Sequence, residues 1–180
     1  MLRKAEESDL LGILDIYNDA IINTTAVYSY EPQTLEDRLE WFRSKQANGY
    51  PILVIEDGGH IKGFATYGPF RPWPAYKYTI EHSVYVHKDY RGKGAGKLLM
   101  CEIINLAEAN GYATLIAGID ATNQASIALH KTLGFSYSGT IRRAGYKFGQ
   151  WLDLAFYQLD LNGRFEITEG SKLCIWQCEK

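Results

Sequence analysis

Residues 90–97 read Tyr90-Arg91-Gly92-Lys93-Gly94-Ala95-Gly96-Lys97. Three of them are glycines, which tolerate positive φ angles and let the backbone approach a ligand closely. The stretch lies between an alternating, strand-like segment, Ile80 to His87, and a helical pattern, Lys97 to Asn110. Because a helix N-terminus and nearby cations attract anions, we expect this loop to bind a phosphate or pyrophosphate. A solvated glycine-rich turn is the alternative.

Two known phosphate-binding patterns do not fit this loop. A P-loop requires Ser or Thr after its lysine, whereas Lys97 is followed by Leu98. A dinucleotide fingerprint has the order G-x-G-x-x-G, whereas single residues separate the glycines here. The pattern Arg91-x-x-Gly94-x-Gly96, between a strand and a helix, instead resembles the acyl-CoA pyrophosphate loop of GCN5-related N-acetyltransferases.

Length and composition indicate one well-cored domain. The chain has 180 residues, 46% of them hydrophobic, and a formal net charge of -2. This charge gives no reason to expect nucleic-acid binding, and no stretch approaches the roughly 18 apolar residues that span a bilayer. The first residues lack the apolar core of a signal peptide, and the three cysteines do not form a disulfide framework. We therefore expect a soluble cytoplasmic protein.

The hydrophobic pattern predicts helices and strands in the order α-α-β-β-β-α-β-α-β-β. A capping box, Thr34-x-x-Asp37, starts the second helix, and Asp57-Gly58-Gly59 joins two strands as a hairpin. Residues 68–76 include three prolines and predict a stiff aromatic loop. This order predicts a single α/β domain, residues 1–161, with a central mixed sheet flanked by helices. Residues 162–180 form an extension of unknown role.

Further segments extend the resemblance beyond the loop. They are residues 79–86, 123–126, 130–135, 144–153 and the segment Glu31-Pro32-Gln33-Thr34. Together they resemble the phosphinothricin and methionine sulfoximine N-acetyltransferase branch of the GCN5-related N-acetyltransferase superfamily, over about residues 1–161. The resemblance implies that superfamily's α/β fold, acetyl-CoA as co-substrate, a small amino-acid acceptor and a homodimer.

Glu81 is the candidate catalytic base. Acetyl transfer requires an unprotonated amine, whereas a free α-amine with a pKa of about 8 is mostly protonated at pH 7. A carboxylate within reach of the amine, directly or through one water, accepts its proton. Glu81 is the lone carboxylate of an apolar strand and shares one strand face with Ser83 and Tyr85. A lysine-paired strand-edge role is the alternative, and the resemblance places Glu81 at the position of the family's base.

His130 is the candidate general acid for the departing thiolate of coenzyme A. The superfamily often has a tyrosine four residues before a Gly-Phe pair, and this chain has His130 before Gly134-Phe135. The phosphinothricin branch resembles the chain in carrying histidine there. A packed or exposed helical histidine is the alternative. Cys101 falls in a predicted helix, distant from the cleft in which we expect the active site, so we expect direct transfer without a cysteine nucleophile.

The resemblance implies that acetyl-CoA is held mostly by the main chain. A strand edge would pair with the pantetheine arm while the glycine loop holds the pyrophosphate. Asn123 matches a family side-chain contact to the pantetheine, and a plain helix N-cap is its alternative role. The expected cofactor-binding residues are Val84, Tyr85, Val86, Arg91, Gly92, Lys93, Gly94, Ala95, Gly96, Lys97 and Asn123.

The acceptor site should hold the carboxylate of an amino acid by cations or amide groups. The expected substrate-binding residues are Arg71, Pro72, Trp73, Glu81, His82 and Ser83. Tyr28 and Tyr30 are candidates for an aromatic wall, with core packing as the alternative. The four histidines have no metal-ligand spacing, and direct acyl transfer requires no metal.

These features predict an acetyl-CoA-dependent N-acetyltransferase that acts on the α-amine of phosphinothricin, methionine sulfoximine or a related small amino acid. Herbicide resistance would be a side activity if the physiological acceptor is an ordinary metabolite. The rival hypotheses are acetylation of a protein N-terminus or an aminoglycoside, and a non-catalytic acetyl-CoA-binding module. Late aromatics are compatible with a homodimer interface, with core filling as the alternative: Tyr146, Phe148, Trp151, Phe156 and Tyr157.

Overall fold

The computed structural model describes residues 1–162, which contain seven strands and four α-helices. The strands are β1 (Leu2–Lys4), β2 (Ile52–Asp57), β3 (His60–Pro69), β4 (Thr79–Val86), β5 (Thr114–Asp120), β6 (Ser136–Lys147) and β7 (Gln150–Asp160). The helices are α1 (Leu10–Asn23), α2 (Leu35–Ala47), α3 (Ala95–Ala109) and α4 (Gln124–Thr132). The strands form one sheet in the order β1-β2-β3-β4-β5-β7-β6.

The sheet is mixed, as the sequence predicts. β4 and β5 run parallel, and all the other neighbouring strands run antiparallel. The predicted α/β fold with helices on a partly parallel sheet is therefore confirmed. The hydrophobic pattern does not predict β1, because three residues are too few to establish a period; this strand forms by pairing with Leu53–Ile55.

Local sequence signals fix two of the element boundaries. The hydroxyl of Thr34 accepts from the N–H of Asp37, and the Asp37 carboxylate accepts in turn from the N–H of Thr34, so the capping box forms at the start of α2. Gly58 and Gly59 have φ angles of 62° and 79°, which a two-residue hairpin between β2 and β3 requires. Both features follow from residues close in sequence, which is why the sequence predicts them.

The helices cover the two faces of the sheet and bury two separate hydrophobic clusters. α1 and α2 pack on one face, over Val54 and Phe64. α3 and α4 pack on the other face, over Ala65 and Leu115. Side chains that alternate along a central strand therefore enter two different environments.

β4 and β5 pair over only part of their length. Their register runs from Thr79–Thr114 to Glu81–Ile116 and ends there. Beyond Glu81, the edge of β4 that faces β5 presents its backbone groups to a gap. Because backbone N–H and C=O groups need partners, this gap is a suitable place for a ligand that pairs like a strand.

Two kinds of feature are absent from residues 1–162. No helix there is long and apolar enough to cross a membrane. No group of three or more His, Cys, Asp or Glu side chains in the same residues is placed to hold a metal ion.

Candidate active site

A cavity of ≈ 610 Å³ opens beside the gap between β4 and β5. It brings together most of the residues that the sequence predicts for cofactor binding: Val84, Tyr85, Val86, Arg91, Gly92, Gly94, Gly96, Lys97 and Asn123. Lys93 and Ala95 do not line it. A further part of the wall, which no sequence motif predicts, comes from α1 and the residues after it: Ile16, Ala20, Thr24, Thr25 and Ala26.

The glycine loop forms a backbone cradle at one end of this cavity. Gly92 and Gly94 have φ angles of 73° and 85°, which other residues rarely adopt. The N–H of Leu98 makes its helical hydrogen bond to the carbonyl of Gly94, at 3.1 Å. The three N–H groups before it, at the start of the 15-residue α3, have no partner within their own helix, so they are donors suited to an anion.

Arg91 is held at the cavity wall by contacts to two elements. Its Nη2 donates to the Asp19 carboxylate of α1 at 2.9 Å, and its Nε donates to the carbonyl of Val86 at 3.2 Å. A guanidinium has more N–H donors than these two bonds use. Arg91 can therefore meet an anionic ligand without leaving either contact.

Asn123 caps α4. Its Oδ1 accepts from the N–H of Ser126 at 3.1 Å, which is the N-cap role that the sequence offers as the alternative. The residue also lines the cavity. A ligand contact through the side-chain NH₂ is compatible with the cap because the cap uses only the oxygen.

Glu81 lies at the last paired position of β4 and β5, with its carboxylate above Gly118 of β5. An ideal Cβ built on Gly118 would lie 2.8 Å from Oε1 of Glu81. Burial raises the pKa of the Glu81 carboxyl, and the Arg71 guanidinium lowers it by less, so the net shift is upward. Glu81 is therefore a stronger base than a solvated glutamate. It lies three residues, about 10 Å, before Val84 at the cavity wall.

The loop after β3 carries the other predicted acceptor residues. Arg71, Pro72 and Trp73 are all exposed, and the Arg71 guanidinium lies 4.5 Å from the centre of the Phe70 ring. Phe70 in turn contacts the ring of Phe156 on β7. Arg71 is thereby placed at the same end of the sheet as Glu81, close enough for its charge to act on that carboxyl.

The two tyrosines considered for an aromatic wall connect the segment after α1 to the hairpin formed by β6 and β7. The hydroxyl of Tyr30 donates to the carbonyl of Tyr146 at 2.6 Å. The Tyr28 ring lies against Gly145, where an ideal Cβ would approach it to 2.6 Å. Glycine is therefore required at position 145 for this ring to pack.

Lys147, the last residue of β6, also holds the segment that follows α1. Its side chain is only 3% exposed. The ammonium donates to the carbonyls of Ile21, Thr24 and Val27 at 2.5 to 2.9 Å. These bonds hold the cavity-lining residues 24–26 in place. The only sign of this role in the sequence is a lysine inside an aromatic-rich block.

His82 and His130 form a buried pair on the face that α3 and α4 cover. Their Nε2 atoms lie 3.0 Å apart, and Nδ1 of His130 lies 2.7 Å from the carbonyl of Ser126. Because that carbonyl only accepts, His130 is assigned a proton on Nδ1, and its Nε2 accepts from His82. Nδ1 of His82 has no partner among the described residues.

This arrangement changes the interpretation of both histidines. The sequence predicts that His82 binds the acceptor with Glu81, but strand alternation directs His82 to the opposite face of β4, where it is 8% exposed. His130 is 1% exposed and lies behind the cavity wall at Ser126. The general-acid role of His130 stays a prediction, and this geometry argues against it.

The histidine pair should make the protein lose stability in mild acid. Burial and the neighbouring His130 lower the pKa of His82 to about 3, and burial lowers that of His130. Unfolded histidines, with a pKa of about 6.5, take up protons first, so stability present above pH 6.5 is lost as the pH falls below it. Each histidine contributes a slope of up to about 1.4 kcal/mol per pH unit. Urea unfolding at pH 7.5, 6.0 and 5.0 measures this loss.

His82→Asn should flatten that pH dependence, because one titrating group is removed. The matched control is His60→Asn, because His60 is exposed at the first residue of β3. This variant should leave the pH dependence of stability unchanged. Equal stability of the wild type at pH 7.5 and 5.0 would contradict the prediction. An equal slope of the free energy of unfolding against pH in His82→Asn and His60→Asn would also contradict it.

Comparison with known proteins identifies relatives over nearly the whole described chain. Residues 13–135 match the model of the Acetyltransferase (GNAT) family. An L-methionine sulfoximine/L-methionine sulfone acetyltransferase of Pseudomonas aeruginosa is 48% identical over 162 residues, 89% of this chain and 94% of the relative. The crystal structure of an N-acetyltransferase from Staphylococcus aureus Mu50 is 59% identical, with a TM-score of 0.88, over 89% of this chain and 97% of that one. A phosphinothricin acetyltransferase from Sinorhizobium meliloti, solved in complex with AcCoA, is 35% identical, with a TM-score of 0.89, over 96% and 97% of the two chains.

Proposed function

The chain belongs to the acetyltransferase (GNAT) family and is an N-acetyltransferase, and we propose that its acceptor is the α-amine of a small amino acid. The family match confirms the resemblance that the glycine loop indicates. Methionine sulfoximine, methionine sulfone and phosphinothricin are the first acceptors to test, because relatives are named for them. The observation that carries the proposal is the half-buried Glu81 carboxylate at the point where β4 and β5 separate.

Acetyl-CoA fits the donor groups of the cavity. The cradle of glycine residues, free helical N–H groups and Arg91 suits a pyrophosphate, and the unpaired edge of β4 suits the amides of a pantetheine arm. A relative solved with AcCoA supports this assignment. When bound, acetyl-CoA supplies the acetyl group as a reactive thioester. The proposed cofactor-binding residues are those predicted from the sequence.

Glu81 would act on the acceptor amine as a general base. An ammonium group has no lone pair with which to attack a carbonyl, so its proton must leave first. The raised pKa of Glu81 brings its basicity closer to that of the amine than a solvated glutamate would be. The carboxylate accepts this proton directly or through one water, while Gly118 leaves the space in which it lies.

Arg71 is the proposed partner for the carboxylate of the acceptor. It is a cation at the Glu81 end of the sheet, on a loop braced by prolines. A carboxylate bound there and an amine bound at Glu81 would fix the two groups that all amino acids share. Trp73, Pro72 and Ser83 remain proposed contacts to the rest of the acceptor.

A CoA-release assay over a panel of acceptors tests this function. We expect turnover with methionine sulfoximine, methionine sulfone or phosphinothricin, and loss of turnover when the α-amine is blocked. Activity only on peptides or aminoglycosides would move the protein to the rival classes. If no acceptor in the panel supports CoA release, the acetyl-CoA-binding module would be the better description.

The same proposal covers the physiological acceptor and the cellular compartment. If an ordinary amino acid is the best substrate, resistance to a phosphinothricin herbicide would be a side activity. We also propose that the protein works in the cytoplasm, because its acyl donor is an intracellular metabolite.

We further propose that the protein forms a homodimer through β6. This strand is at the edge of the sheet and is 12 residues long. Five large side chains on the β6–β7 hairpin are each 49% to 59% exposed: Tyr137, Ile141, Tyr146, Phe148 and Trp151. A long edge with exposed apolar groups is a surface that proteins normally cover. Of the late aromatics predicted for an interface, Tyr157 instead fills the core, at 5% exposed.

Light scattering tests the dimer. A protomer of 20.4 kDa should run at about twice that mass, and Trp151→Glu should shift it towards the monomer. Leu11→Glu, at an exposed site on α1, is the matched control and should leave the mass unchanged. A monomeric wild type at micromolar concentration would contradict the proposal.

A further inference from the structure

Gly118 lies beside the Glu81 carboxylate and is exposed to solvent. Glu81 pairs in register with Ile116, so Gly118 is the next residue of β5 on the same face. A Cβ built on Gly118 would meet Oε1 of Glu81 at 2.8 Å, closer than real Cβ contacts. The carboxylate therefore occupies the space that a side chain at position 118 would need.

The backbone itself does not require glycine at this position. Gly118 is not among the glycines with a positive φ angle, so other residues fit its conformation. Glycine inside a strand weakens the strand, and a close approach of another group is a physical reason for its presence. Here the group that approaches is the carboxylate of Glu81.

The other neighbours of Gly118 would accept a methyl group. The same ideal Cβ lies 3.5 Å from Cδ1 of Leu154 and 3.7 Å from Cε1 of Phe156, which are ordinary contacts. Only the end of the flexible Glu81 side chain would have to move. Alanine at position 118 should therefore displace the carboxylate while leaving the fold intact.

We propose that Gly118 is a positioning residue that reserves the place of the Glu81 carboxylate. This inference rests on the proposed role of Glu81 as the base. An added side chain at 118 would push the carboxylate out of the place that it holds where β4 and β5 separate. A displacement of about 1 Å is enough to lower a rate by about 100-fold.

The variant Gly118→Ala tests this directly. We expect kcat/KM for the amino acid to fall by about 10- to 100-fold, with the Kd of acetyl-CoA unchanged. The acid limb of the pH profile should move to lower pH, because the displaced carboxylate gains solvent. In the Glu81→Gln background, Gly118→Ala should cause little further loss, since it acts through the same group.

A carbon-13 titration of the Glu81 carboxyl gives a readout that does not depend on any acceptor. In Gly118→Ala this carboxyl should titrate at lower pH than in the wild type, while thermal unfolding changes little. An unchanged titration, or full additivity with Glu81→Gln, would overturn the positioning role. An inactive wild type would instead overturn the proposed function, and the titration would still decide the role of Gly118.

Discussion

Glu81→Gln should lower kcat by about 10²- to 10⁴-fold at pH 7, the range typical for loss of a general base. Glutamine keeps the shape of the side chain but cannot accept the proton of the acceptor amine. Raising the pH should restore part of the rate, because an α-amine with a pKa of about 8 then loses its proton to solvent. CoA release measured from pH 6 to pH 9.5 gives both results.

The matched control for this variant is Glu40→Gln, at an exposed carboxylate on α2. It should have the activity and pH profile of the wild type. The affinity of Glu81→Gln for acetyl-CoA should also be unchanged, because Glu81 does not line the cavity in which acetyl-CoA is proposed to bind. Turnover that is unchanged across the whole pH range would remove Glu81 from the role of base.

Lys147→Met should destabilise the protein by about 3 kcal/mol or more, because it removes three charged hydrogen bonds from a buried site. Methionine fills a similar volume but leaves the carbonyls of Ile21, Thr24 and Val27 without their donor. Ile21 lies in the last turn of α1 and Thr24 is its C-cap, where the helix dipole also favours a positive charge. Urea unfolding measures the loss.

The same variant should raise the KM for acetyl-CoA. Lys147 holds residues 24–26, which form part of the cavity wall. Lys131→Met, at an exposed position on α4, provides the control. It should change neither the free energy of unfolding nor the KM for acetyl-CoA by much. A Lys147→Met protein as stable as this control would show that the three bonds contribute little.

Much of the fold and of the backbone geometry of the glycine loop could be predicted from the sequence, because the signals are local. Gly92 and Gly94 require particular backbone angles, and Thr34 and Asp37 cap a helix by bonds within four residues. Such features form wherever the segment is placed. Glu81 could also be singled out, because a carboxylate in an apolar strand is unusual.

The surroundings of that carboxylate could not be predicted. The alternation of side chains along β4 correctly separates Glu81 from His82, but it does not say which face of the sheet holds the candidate active site. The strand order decides this, since it places Gly118 next to Glu81 and leaves β4 unpaired beyond it. It also places His82 against His130, 48 residues away.

The amino-acid sequence alone predicts the family, which the comparisons confirm, and it also predicts a phosphate-binding loop and a candidate base, because each prediction depends on residue type and short spacing. The burial of His130 and the space that Gly118 leaves for the Glu81 carboxylate follow from the arrangement of the strands and helices. This arrangement also joins Lys147 to Ile21 across 126 residues. Contacts of this kind depend on which strands become neighbours, and a single sequence does not state that order.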